Sequence, residues 1–129
     1  MTKQQEPREK GIALAKTLME GAPSVGTIPK RFREHTLSHL FGDVWQGPEL
    51  DLPERSLLTC AMLVVLNRET EMRIHFNGAR NLGVPRSKLE ETIIQAAHYA
   101  GWPVAAAAFR ALEDVWPETD SASNAGTGQ

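Results

Sequence analysis

The sequence holds a single cysteine, Cys60, among 129 residues. No disulfide can close within one chain, and neither a C-x-x-C redox pair nor a thiolate zinc cage can be built. An excess of charge of one sign is also lacking: 14 basic and 16 acidic residues leave a formal charge of −2. The only local cluster is Lys30, Arg31 and Arg33, so the electrostatic footprint of a nucleic-acid binder is missing and neither DNA nor RNA is an expected partner. No apolar run reaches the roughly eighteen residues of a membrane span, and MTKQQEPREK at the N-terminus has no apolar signal core behind its charges. A cytoplasmic protein that makes no membrane contact is the expectation. What is present, 41% hydrophobic and 23% charged residues, suits one globular domain that buries roughly two-thirds of its unfolded surface without metal or disulfide support.

Nearly every segment reads at the helical period, with proline and glycine between segments. Residues 7–21 place Ile12, Ala15 and Met19, with Leu14 and Leu18, on one side, and the loop GAPSVGTIP follows. A second helix is predicted over 30–46, carrying Phe32, Leu37, Leu40, Phe41, Val44 and Trp45, with Gly42 as its weak interior position. Pro48 breaks it, and Pro53 suits the first turn of a third helix. In LLTCAMLVVL, residues 57–66, only Thr59 is polar, so this helix is expected at the centre, packed on every side. Asn67 is read as the N-cap of a fourth helix that has Glu69 and Glu71 in its first turn, a stripe of Met72, His75, Phe76 and Ala79, and Gly83 as its stop. Ser87 and Glu90 have capping-box spacing for a fifth helix, which Gly101 ends, and Pro103 starts a sixth whose run of four alanines permits close helix approach. The fold expected is all-α, a compact bundle of about six helices forming one domain over 1–116, and 117–129 is expected to be a disordered polar tail.

Few residues can carry chemistry. Glu71 and His75 stand four apart on one helix, where a carboxylate can orient an imidazole or raise its pKa; equally, His75 can be a core-edge ring packed on Phe76 while Glu71 stabilises the helix N-terminus. His35 and His39 have the H-x-x-x-H spacing of a metal pair, but Thr36 stands where a zinc protease has glutamate and no further ligand is marked, so a solvated flank accounts for them and no metal is assigned. Cys60 reads as a small buried side chain. Trp45, Tyr99 and Trp102 can line a pocket or fill gaps between helix ends. Arg55 lies near the unfavourable end of the third helix's dipole, and so calls for an acidic partner, an anionic ligand or exposure to water.

The order of these motifs resembles the carboxymuconolactone decarboxylase family of the alkylhydroperoxidase D-like superfamily. The resemblance spans about Gly42 to Leu112. It rests on Gly42-Asp43-Val44-Trp45, on Arg55-Ser56-Leu57-Leu58-Thr59, on Glu71 and His75 followed by Ala79-Arg80-Asn81-Leu82-Gly83-Val84, and on Tyr99-Ala100-Gly101 before Pro103. It implies a helical protomer of alkylhydroperoxidase D-like fold that assembles into a homotrimer or homohexamer, with sites near subunit contacts and no cofactor. The superfamily's peroxidase thiols would stand at Glu69 and Met72, so that chemistry is absent. Asn77 replaces an arginine common in the family, Gln95 replaces a histidine, and His98 lies three residues further on.

The activity implied is a cofactor-free lyase that removes carbon dioxide from a small unsaturated carboxylated lactone in aromatic-compound catabolism, as 4-carboxymuconolactone decarboxylase does. His75 is then the general acid or oxyanion donor and Glu71 its orienting partner. Arg55 becomes an anion contact, Trp45, Tyr99 and Trp102 exclude water, and Asn77 and Gln95 lie among the substrate-binding positions. Two other readings stay open: an acid-base isomerase or dehydratase acting on another small conjugated carbonyl compound, and a non-catalytic oligomeric member of the family.

Overall fold

The computed structural model describes residues 2, 3 and 5–120, and among these described residues there are helices and no strand. The first helix, α1 (Gln5–Met19), buries Gly11, Leu14 and Leu18. Of the predicted apolar side, Leu14 and Leu18 are thus buried, and Ile12, Ala15 and Met19 are half-buried.

The predicted second helix is not continuous. It divides into α2 (Lys30–His35), a π-helical segment Thr36–Phe41 and a 3-10 turn Val44–Gln46. The reason is backbone crowding against α1. A Cβ on Gly11 would collide with the Leu37 carbonyl, and one on Gly42 would meet the Pro7 and Ser38 carbonyls. The two segments cross almost backbone to backbone, and the widened π turn lies at that crossing. Phe32, Leu40 and Val44 are left exposed, whereas Phe41 and Trp45 point inward.

Helix α3 (Leu52–Val65) starts at a capping box not among the expected ones: the Glu54 N–H donates to Asp51 Oδ1 at 2.8 Å, and the Asp51 N–H donates to Glu54 Oε1 at 3.1 Å. The expected box at Ser87 does not form because α5 (Arg86–Ala100) already begins at Arg86, and Glu90 pairs with that arginine. Asn67 is not an N-cap either. It adopts φ 57° and ends α3 in a Schellman motif, with the Asn67 N–H donating to the Val64 carbonyl and the Arg68 N–H to the Leu63 carbonyl. Helix α4 (Glu69–Asn81) stops in the same way through Gly83, at φ 86°, as expected. Gly101 separates α5 from α6 (Trp102–Val115).

The main core joins α3, α4, α5 and α6 through Cys60, Val64, Met72, Phe76, Leu89, Ile93, Ala108 and Leu112. A second, smaller core gathers Leu14, Leu18, Phe41 and Trp45. Arg86, 6% exposed, ties α5 to the end of α6 by donating to the Trp116 carbonyl and pairing with Glu90 and Glu113. Helix α3 is not packed on every side: Cys60 and Val64 are buried, but Leu58, Met62, Val65 and Leu66 lie 46–61% exposed. The predicted tail also has an ordered beginning, since the Glu118 N–H donates to Glu113 and Asp120 pairs with Arg80 at 3.5 Å. The rest of it, 121–129, lies outside the described residues.

Candidate functional site

His75 lies where the two cores meet. It projects from α4, and its ring stacks on the buried Trp45 with centroids 6.1 Å apart and planes inclined by 27°. Phe41 supports the indole edge-on at 5.6 Å. The sequence builds this locally: the π-helical segment ends on Phe41, and the 3-10 turn that follows carries Trp45 back over α4. Nδ1 of His75 is sealed from solvent without a hydrogen-bond partner, although the residue as a whole keeps part of its surface exposed. Burial holds the imidazole below its ordinary pKa, with Glu71 pulling weakly the other way. Glu71 itself is exposed and makes no hydrogen bond or ion pair with His75, so its influence is through space and the expected orienting bond is not formed.

Arg55 enters the same turn from α3. Its Nη2 donates to the Gly47 carbonyl at 3.3 Å, its Nε is buried without a partner, and no carboxylate among the described residues pairs with it. A side chain at Gly47 would press on this guanidinium. Trp45 and Gly47 thus let one short turn hold both the imidazole and an unpaired, half-buried cation. Of the three partners that the position of Arg55 calls for, no acidic one is present among the described residues, and the half-buried group stays open to an anion or to water.

The other expected site residues lie apart from this pair. Asn77 is 6% exposed and spends its amide on the end of α1, donating to the Glu20 carbonyl at 2.8 Å and the Leu18 carbonyl at 3.4 Å; a substrate contact is not available to it. Gln95 and Tyr99 line a cleft of about 550 Å³ between α3 and α5, with Leu57, Ala61, Val65 and Lys88. Trp102 lines a smaller apolar cleft between α5 and α6 and touches His98 edge-on at 5.6 Å. Tyr99 is 81% and Trp102 69% exposed, so neither excludes water from His75 within one chain. Nor is either of these clefts lined by His75 or Arg55. His35 and His39 flank a polar cleft, with His39 4.0 Å from Asp43, and among the described residues no three potential ligands gather for a metal.

A family model described as the carboxymuconolactone decarboxylase family matches residues 30–114. The chain belongs to the carboxymuconolactone decarboxylase family. It is 40% identical over 78 residues to a 4-carboxymuconolactone decarboxylase of Acinetobacter baylyi, a match covering 60% of this chain and 58% of that protein. It is also 40% identical over 63 residues to a nitrosuccinic acid decarboxylase of Metarhizium robertsii, covering 49% and 44% respectively. The chain thus spans little more than half the length of the first of these relatives and less than half of the second.

As a member of the carboxymuconolactone decarboxylase family, this chain has no thiol pair and keeps Cys60 fully buried, with Sγ donating to the His75 carbonyl at 3.5 Å. Burial pushes that thiol up to about 12, which leaves it inert as a nucleophile. One contributor left almost no local signal: Gly47, whose carbonyl accepts from Arg55, stands out only by its place before Pro48. Ser56 is fully buried in α3, one turn before the Cys60 thiol that it contacts.

Proposed function

We propose that the chain is a cofactor-free decarboxylase of small acids that carry their own electron sink, with 4-carboxymuconolactone as the leading substrate. The observation that carries this reading is the unpaired, half-buried guanidinium of Arg55 on the turn that stacks against His75. The names of the two relatives support it, because a conjugated lactone and a nitro acid can both accept the electron pair left behind by departing carbon dioxide. In that step the bond from carbon to carboxylate breaks and the pair moves into the conjugated carbonyl or nitro group. A proton then returns to carbon as carbon dioxide leaves. Arg55 binds the anionic substrate, the open edge of His75 donates to the developing oxyanion, and Trp45 keeps water from one face. Glu71 tunes His75 through space.

The assay is release of carbon dioxide from 4-carboxymuconolactone, with nitrosuccinic acid as a second substrate. Arg55→Met is expected to raise KM strongly while the protein stays folded. Turnover unaffected by that change would contradict the assignment. Self-assembly is part of the same proposal, as a homotrimer or homohexamer, because the exposed apolar face of α3 adjoins the cleft lined by Gln95 and Tyr99.

One observation favours a non-catalytic member instead: the larger clefts of the single chain are lined by residues other than His75. A correctly folded, assembled protein that turns over neither substrate, while the ligand-induced rise in stability is also absent, would decide for that reading.

A further inference from the structure

Three features of His75 converge. One face of its ring is covered by Trp45, which Phe41 braces from behind. Nδ1 is sealed without a partner. The residue nevertheless keeps exposed surface, and no hydrogen bond of the described residues occupies Nε2, so Nε2 is the nitrogen left to meet a ligand.

We propose that Trp45 is a positioning residue which fixes His75 as the neutral tautomer carrying its proton on Nε2, so that the site presents a hydrogen-bond donor and not a cation. This deepens the reading above and rests on it for the ring's task. An imidazolium would need N–H groups on both nitrogens, and the one on Nδ1 would be left unsatisfied in a sealed, apolar position. The neutral Nδ1–H tautomer strands the same N–H. Only the Nε2–H form leaves a bare lone pair in the closed position and its donor in the open one.

The groups around the ring do not reverse this balance. Glu71, from the same helix, favours the charged form but is exposed and unbonded to it. From α3, the thiol of Cys60 stays neutral and donates to the His75 backbone carbonyl, while the Arg55 guanidinium turns to the Gly47 carbonyl. The turn Val44–Gln46 brings no charged side chain, and Asp43 beside it faces His39. On the α6 side, Asp114 is engaged by Arg73 at 2.8 Å. Burial of the ring against the indole decides, and the direction of the His75 pKa agrees with it.

The test is ring-nitrogen NMR of the full chain without substrate, so that its outcome is separate from whether any lactone is turned over. In the unmutated protein the His75 nitrogens should show the Nε2–H pattern, with a titration midpoint below the ordinary 6.5. In Trp45→Leu the midpoint should rise toward that value, and in Trp45→Phe, which restores an aromatic face, it should fall back. An Nδ1–H pattern in the unmutated protein overturns the proposal, and so does an unmoved midpoint in folded Trp45→Leu. If Trp45→Leu does not fold, the unmutated spectrum and Trp45→Phe alone decide, since the tautomer is read directly from the first.

Discussion

At the scale of single residues, His75 is held against its own charge, and this has a sign that can be measured. Its folded pKa lies below the unfolded value near 6.5 because of burial, so on acidification the unfolded chain takes up a proton before the folded one. Stability therefore rises with pH wherever the unfolded state binds more protons: it is fully present above about 6.5 and falls as pH drops below that value. Denaturant unfolding at a series of pH values should show this loss, and the loss should be smaller in His75→Gln. The half-buried settings of His75 and Arg55 were legible in the sequence: a histidine on an apolar stripe and an arginine at the head of an apolar helix both stand out locally. The task of Asn77 was not, since an amide two residues beyond a histidine suits a ligand or a carbonyl equally well. Which it meets depends on where α1 ends, some 57 residues away along the chain.

At the scale of elements, the crossing of α1 over the π-helical segment is the feature the site rests on, because that segment delivers Phe41 and Trp45. Gly11→Ala would set a methyl group against the Leu37 carbonyl, and neither backbone can move without disturbing the smaller core. The expected loss is more than about 3 kcal/mol, at the severe end for one substitution, as read by denaturant midpoint. By contrast, Asp51→Ala removes one side of the exposed α3 capping box and should cost about 1 kcal/mol, leaving activity intact. The helices themselves were legible because period, proline and glycine act locally. The widening of the helix over 36–41 and its end at Gly42–Asp43 were not, since the apolar positions there fit a continuous α-helix and the close crossing of α1 lies far off in sequence. Asn67 shows the same limit: between two helices it suits the start of one and the left-handed end of the other, and the hydrogen bonds of Leu63 and Val64 choose the latter.

At the scale of the whole molecule, a helix predicted to be central has an open apolar face. Leu58, Met62 and Val65 of α3, with Leu66 at its C-cap, are joined across the α3–α5 cleft by Tyr99. The sequence could not distinguish a helix surrounded by its own chain from one covered by a neighbour, since both are apolar all round. If self-assembly covers this face, the double substitution Met62→Glu and Val65→Lys should yield a smaller species in sedimentation velocity with helical content unchanged. An unmodified protein that sediments as a monomer at micromolar concentration would contradict it. No helix of the described residues is long and apolar enough to cross a membrane.

We propose that this chain decarboxylates small acids with His75 as its hydrogen-bond donor. The most direct test is carbon dioxide evolved from 4-carboxymuconolactone by the purified protein, beside His75→Gln shown to fold and assemble alike. Turnover should fall by about 10²–10⁴-fold in the variant. Equal rates in the two proteins would contradict it.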